Sequence, residues 1–292
     1  MPATRDVHGR DAIAEFRERA LRLGPAQNLV GILSRPEASG SERPAVVVLN
    51  AGVLHRVGPH RLHVRLTRRL AALGFAGLRL DLAGIGDSLA VAGTRSFRES
   101  AVADTQVAMD ELTAQTGAAR FVLVGLCSGA DNALATAASD PRVAGLVILD
   151  PPSYRTTRAR LRKAAHQVAQ RGLRGALAWG LAVGRRELGE RIAARRHRAA
   201  APPSEGRETP PLAGYRQQLE ALLARDVKIL AIYSGGLGER YNHVDQLFEY
   251  APALRGRLTH AYFPDANHLF TERAQQTELL DTIAVWVDRR FR

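Results

Sequence analysis

Residues 121–139 read FVLVGLCSGADNALATAAS. The opening five residues form a continuous apolar run, fit for a strand covered on both faces. The small residues of 129–139 fit a helix. Between them stands Gly125-Leu126-Cys127-Ser128-Gly129, at the point where strand turns into helix. This is the nucleophile-elbow pattern G-x-S-x-G with cysteine at its centre. The central residue of such an elbow occupies a strained turn, and side chains two positions to either side would crowd strand and helix. That frame selects Cys127, because the corresponding flanks of Ser128 would be Leu126 and Ala130. A thiol at a helix N-terminus meets free amides and the positive end of the helix dipole, and both favour the thiolate.

Outward from the elbow, strands and helices alternate. AVVVLN (45–50), AGLRLDL (76–82), VAGLVILD (143–150) and VKILAIY (227–233) read as strands, with a shorter one at 257–263. Pro59 opens a helix through Leu73, with Leu62, Leu66, Leu70 and Leu73 at helical spacing. Phe97 to Thr116 reads as another helix, stopped at Gly117, and further helices are expected near 213–225, 243–254 and 271–291. Residues 17–34 carry two alternating runs around Gly24-Pro25-Ala26, a hairpin signal. A hairpin followed by this alternation predicts an α/β fold, a mostly parallel sheet with helices on both faces. The alternation breaks between 151 and 212, a stretch with no β-rich run that closes on APPSEGRETPP (201–211). The expected organisation is a first part of the core over 1–150, an Arg-rich helical lid over 151–212 inserted after the sixth strand, and a second part of the core over 213–292.

The composition of the 292-residue chain, 46% hydrophobic and 24% charged, is that of a globular protein and excludes fibrous and extensively disordered classes. No apolar run approaches the roughly 20 residues that span a bilayer. The first twenty residues alternate in charge and lack the apolar core of a signal peptide, so a cytoplasmic location is expected. A single cysteine excludes an internal disulfide framework and a cysteine-based zinc cluster. No metal and no organic cofactor is implied. The net charge is +12, and all but two of the 41 basic residues are arginine. Nearly the whole excess lies between Ser153 and Ala200, where 13 basic residues face only Glu187 and Glu190.

Other candidate site residues follow from what Cys127 needs. His268, in FPDANHLFTE between the last strand and the last helix, can reach across the sheet's C-terminal edge as general base. Glu239, in the Gly-rich turn after VKILAIY, is the expected carboxylate orienting that imidazole. Asp150, ending VAGLVILD, is the alternative acid, and Asp131 can cap the elbow helix. An oxyanion hole needs two backbone N–H groups, here those of Ser128 and of Val53 in the turn after AVVVLN. Beside that turn, Arg56, His60 and Arg61 in HRVGPHR are candidates for an anion site; Arg56 can equally pair with an acid in the DLAGIGDS loop.

Taken together, NAGVLHRVGPHR (50–61), RLDLAGIGDS (79–88), GLCSGAD (125–131) and NHLF (267–270) resemble the α/β-hydrolase superfamily. They are especially similar to bacterial predicted hydrolases of the exosortase-associated and serine-aminopeptidase-like groups. The resemblance covers roughly 17–150 and 213–290, with the insertion outside it. It implies an esterase, thioesterase or acyltransferase with a Cys-His-acid triad. Cysteine in place of serine departs from the usual pattern and carries chemical content. A thioester intermediate stays activated toward water, amines, alcohols or thiols, so transfer stands beside hydrolysis. The expected partner is an acyl ester or thioester, with coenzyme A or an acyl carrier protein as donor that the basic lid would dock. No nucleic-acid binding motif is present, and none is expected to bind. The alternative of a different class is a non-catalytic docking or assembly protein that binds an anionic partner through the basic lid.

Overall fold

The structure, a computed structural model, describes residues 15–37, 42–91, 93–196, 207 and 209–292. In chain order the strands are β1 (Phe16–Leu23), β2 (Leu29–Pro36), β3 (Ala45–Val48), β4 (Gly77–Asp81), β5 (Phe121–Leu126), β6 (Val143–Leu149), β7 (Lys228–Ser234) and β8 (Thr259–Phe263). The helices are α1 (Leu62–Ala72), α2 (Phe97–Thr116), α3 (Ser128–Ser139), α4 (Thr157–Arg196), α5 (Leu212–Ala224), α6 (Gln246–Tyr250) and α7 (Arg273–Phe291). All eight strands join one sheet in the order β1-β2-β4-β3-β5-β6-β7-β8. The β1–β2 hairpin pairs antiparallel and β2 joins β4 antiparallel, while every pairing from β4 through β8 is parallel.

Parallel strands need crossovers, and the crossover helices cover both faces. Leu66 and Leu70 of α1 pack with Leu279 and Ile283 of α7 on one face. On the other, Met109 and Leu112 of α2 join Ala133 of α3 and Leu219 of α5. The central strands β3, β5 and β6 are buried almost end to end, as their continuous apolar runs require. Local signals fix the ends of α2. Ser96 accepts from the Glu99 amide while Glu99 reaches back to the Ser96 amide, and Gly117 closes the helix in the left-handed region.

Two expected helices differ from the sequence reading, and the insertion, expected only to be helical, takes a definite form. The one opened by Pro59 begins at Leu62, because His60 and Arg61 take φ of 47° and 63° and leave a separate 3₁₀ turn. The helix over 243–254 is reduced to α6, since Pro252 cannot continue it and starts a 3₁₀ turn over Pro252–Leu254. The inserted segment forms α4, 40 residues long and kinked at Gly172 (φ 69°, ψ 167°). Residues 197–206 and 208 of the insertion lie outside the described residues.

The two ends of the insertion are tied to each other and to the core. Tyr154 donates its hydroxyl to the Pro210 carbonyl at 2.7 Å, and Gln246 donates to the Tyr154 carbonyl at 3.0 Å. On α4, Arg162 pairs with Glu249 at 2.6 Å, and Asn242 donates to the Ala159 carbonyl at 2.9 Å. All six tyrosines of the chain gather at this neck. Tyr154 contacts the rings of Tyr215 and Tyr250, Tyr233 stacks on Tyr241 at 3.7 Å, and Tyr241 meets Tyr262. The hydroxyls of Tyr233 and Tyr250 are 3.0 Å apart. Among the described residues, no helix is long and apolar enough to cross a membrane.

Candidate active site

Parallel strands bring their C-terminal ends to one edge, and the loops leaving that edge meet. Here they are the turn after β3, the elbow after β5, the end of β6, the Gly-rich turn after β7 and the loop after β8. Cys127 sits between β5 and α3 with φ 58° and ψ −119°, a conformation that a side chain rarely adopts. The elbow is held by the Cys127 amide, which donates to the Leu149 carbonyl at 2.9 Å. Its flanking glycines are sterically required. A Cβ on Gly125 would lie 2.1 Å from the Gly129 carbonyl oxygen, and one on Gly129 would lie 2.5 Å from that of Asn50.

His268 comes to the sulfur from the opposite side of the edge. Its Nδ1 and the Asp150 carboxylate are 2.6 Å apart, which leaves Nε2 for the hydrogen bond between the imidazole and Cys127. The close approach of this loop depends on Gly235 and Gly236 after β7. A Cβ there would fall 1.8 Å from the Pro264 carbonyl oxygen and 2.3 Å from the His268 amide nitrogen. The Gly236 amide donates to the Ala266 carbonyl at 2.9 Å and fastens the two loops together.

The carboxylate hydrogen-bonded to His268 is that of Asp150, the alternative acid, and not of the expected Glu239. Asp150 follows β6 directly, takes φ 46° and is fully buried. The Ser234 amide and hydroxyl donate to its two oxygens at 2.7 Å and 2.6 Å, so the end of β7 holds the carboxylate of β6 in place. Glu239 lies in the 3₁₀ turn Gly235–Arg240, further from the strand ends, and its side chain lies outside what the structure describes.

These contacts set the charges. The hydrogen bond to Asp150, then that to Cys127, pushes the His268 pKa up to about 9. The hydrogen bond from His268 draws the Cys127 thiol below its ordinary range. The charges of Arg207 and His268 and the Ser128 amide add to it and outweigh partial burial. Both shifts favour the thiolate–imidazolium form of the pair over the neutral one.

The turn expected to complete an oxyanion hole stands against the elbow. The Gly52 amide donates to the Ser128 hydroxyl at 2.8 Å, so among the turn's amides Gly52 is already engaged. Val53 follows it and is 88% exposed, and the Ser128 amide lies at the sulfur. Asn50, buried at the end of β3, holds this turn. Its Nδ2 donates to the Leu54 carbonyl at 2.8 Å, and its Oδ1 accepts from the Leu82 amide at 2.9 Å.

The anion site expected of Arg56, His60 and Arg61 does not assemble. The Arg56 guanidinium pairs with Asp81 and, at 2.7 Å, with Asp87, both from the loop quoted above as RLDLAGIGDS. His60 and Arg61 are exposed on the turn before α1. Asp131, expected at most to cap α3, instead forms an ion pair with Arg207 at 2.6 Å. The sequence reading passed over Arg207 itself. It stands in a polar, proline-flanked loop of an arginine-rich chain, and no local pattern separates it from the rest.

The profile described as the alpha/beta hydrolase family matches residues 46–278. No curated protein matches this chain. Among solved structures, an α/β serine hydrolase without lid from Xanthomonas campestris is 15% identical, with 95% of each chain covered and a TM-score of 0.53. A thermophilic esterase from Thermogutta terrifontis is 19% identical, with 94% of this chain and 98% of that one covered and a TM-score of 0.52. A dienelactone hydrolase-like promiscuous phosphotriesterase from metagenomic libraries is 14% identical, with 95% and 99% covered and a TM-score of 0.54. At these identities the likeness is one of fold.

Proposed function

Because the chain belongs to the alpha/beta hydrolase family, we propose that it is an acyl hydrolase or acyltransferase acting on an ester or thioester through an acyl-Cys127 intermediate. One observation carries this reading: the Asp150 carboxylate bonded to His268 Nδ1, with the imidazole acting on the Cys127 thiol and the sulfur raised on a strained elbow. In the reaction, the Cys127 thiolate attacks the acyl carbonyl and its π electrons move to oxygen. The amides of Ser128 and Val53 donate to that oxyanion. Collapse expels the alcohol or thiol, which takes the proton from His268 Nε2, and leaves the acyl thioester on Cys127 with a neutral imidazole. His268 then removes a proton from water or another nucleophile as it attacks. The second collapse releases the product and restores thiolate and imidazolium. Asp150 holds Nδ1–H throughout and fixes the tautomer that aims Nε2 at sulfur.

Cysteine at the elbow favours activated donors. Attack on a thioester by a thiolate exchanges one thioester for another at little cost, and the intermediate remains reactive toward amines and alcohols. The basic insertion suits a donor carried on an anionic group such as coenzyme A or an acyl carrier protein. Intact-protein mass spectrometry after mixing with short acyl thioesters and aryl esters tests the reading. Wild type should gain one acyl mass or turn the substrate over, and Cys127→Ala and His268→Ala should do neither. Equal turnover by Cys127→Ala would sink it. Adding water, amine or alcohol acceptors to an isolated adduct then separates hydrolysis from transfer.

A further inference from the structure

The inserted segment returns to the sheet through Arg207, and this residue ends on the sulfur. Its guanidinium makes a two-pronged pair with Asp131, Nε to Oδ2 at 2.6 Å and Nη2 to Oδ1 at 2.7 Å. The remaining nitrogen, Nη1, donates to the Asp150 carbonyl at 2.8 Å and stands 3.8 Å from Cys127 Sγ. Asp131 lies one helical turn past Cys127 on α3 and is buried. A planar fork gripped on both prongs has no freedom to rotate, so the position of the third nitrogen is dictated by α3 itself.

We infer that Arg207 is a thiolate-stabilising residue of the site, supplied by the insertion and held against Cys127 by Asp131. The inference rests on the reading of Cys127 as nucleophile. The groups facing the sulfur show why a second cation is needed. From the loop after β8 comes His268, and behind it Asp150 from the end of β6. From α3 come the Ser128 amide and, one turn on, Asp131. Tyr215 and Tyr154 flank the Arg207–Asp131 pair and are uncharged at neutral pH. Two buried carboxylates so close would push a thiol toward its neutral form. His268 offsets Asp150, and Arg207 offsets Asp131. With both pairs closed, the thiolate lies beside two neutralised carboxylates and keeps one N–H donor from each cation.

The two cations differ in one respect that matters. His268 loses its proton as pH rises through about 9, whereas Arg207 does not titrate in any working range. The thiolate therefore keeps a cationic partner after the imidazolium is gone. It follows that the nucleophile's charge depends on the insertion being seated, because the arginine is carried on the segment that leads away from α4.

Cys127 is the only cysteine, so alkylation by iodoacetamide followed by intact mass reads this thiol alone. The experiment measures the alkylation rate from pH 5 to 10 for wild type, Arg207→Met, Arg207→Gln and Arg207→Lys, each checked for a native near-ultraviolet spectrum. Arg207→Met should slow alkylation at pH 6.5 by about tenfold and move its pH profile to higher pH. Arg207→Gln, which can still donate to Asp131, should do the same if the methionine variant fails to fold. Arg207→Lys should recover most of the wild-type rate because it keeps the charge. An unchanged profile in folded Arg207→Met or Arg207→Gln overturns the inference, whatever happens to thermal stability. The acyl-adduct experiment separates the two readings. A shifted alkylation profile without acyl adduct or turnover sinks the proposed function alone, whereas acylation by wild type with an unshifted profile in the variants sinks this inference alone.

Discussion

Two buried aspartates stand at strand ends of the same sheet, and only their partners differ. Asp81 ends β4 and Asp150 follows β6, and both are fully shielded from solvent. Asp81 faces the Arg56 guanidinium, the Arg56 and Asp87 amides at 2.5 Å and 3.1 Å, and Asn50 at 3.3 Å. The Asp150 carboxylate accepts from Ser234 and is hydrogen-bonded to His268 Nδ1. An arginine cannot release a proton at any ordinary pH, so Asp81 is a permanent tie between β4, the turn after β3 and the loop after β4. A histidine can, so in the proposed mechanism the same residue type, equally buried, orients a base that gives and takes a proton. Burial alone does not mark a working carboxylate; the identity of the facing base does.

The comparison can be broken most directly by removing each charge in turn. Asp150→Asn should lower acyl transfer by about 10²–10⁴-fold, since the imidazole loses the group that fixes its tautomer, with little change in thermal stability. Asp81→Asn should do the reverse. It leaves Arg56 short of a buried partner and should cost about 3 kcal/mol in denaturant unfolding, while the variant that remains folded keeps its rate. If Asp150→Asn unfolds and Asp81→Asn loses only activity, the two roles have been exchanged.

A pH profile sharpens the same contrast. The folded-state pKa of His268 is raised, so its proton is held through neutral pH and lost as pH climbs through about 9. Acyl transfer, which needs the imidazolium as acid, should fall along that alkaline limb. Asp150→Asn removes the largest cause of the shift and should bring the limb to lower pH, whereas Asp81→Asn should leave it in place. Stopped-time assays from pH 6 to 10.5 check this, and coincident limbs for wild type and Asp150→Asn would refute it. The smallest effect is expected of Ser234→Ala, which removes one donor to Asp150 and keeps the backbone one. A loss of about fivefold is anticipated, that of a single hydrogen bond, and a loss as large as that of Asp150→Asn would show that the hydroxyl has a role beyond holding the carboxylate.

Much of this arrangement could be read from residue order. Continuous apolar runs located β3, β5, β6 and β7, and the paired glycines around Cys127 marked the elbow, because each signal is local. His268 was legible for the same reason: a histidine between the last strand and the last helix comes to the strand-end edge wherever the sheet is parallel. Asp150 was harder to rank. Its sequence position is simply the end of an apolar strand, and the choice against Glu239 is made by Ser234, a residue 84 positions away that grips its carboxylate. The two glycines after β7 carried a usable signal, since they admit the loop bearing His268 at backbone contact distance. For HRVGPHR the pattern of charges suggested an anion site, and long-range pairing consumed Arg56. Arg207 had no local mark at all. Its role depends on a meeting between α3 and the returning insertion that no spacing records.

The neck of the insertion has an optical consequence. Every tyrosine of the chain is at that one place, including the pair Tyr233 and Tyr241, stacked 3.7 Å apart with ring planes 3° from parallel. Transition dipoles that close couple, so the tyrosine bands of the near-ultraviolet circular dichroism spectrum are a local signal rather than a global average. The molecule thus carries its own chromophore at the root of the inserted segment. Any ligand or variant that loosens that root should dim the tyrosine bands, while the far-ultraviolet signal reports on the helices.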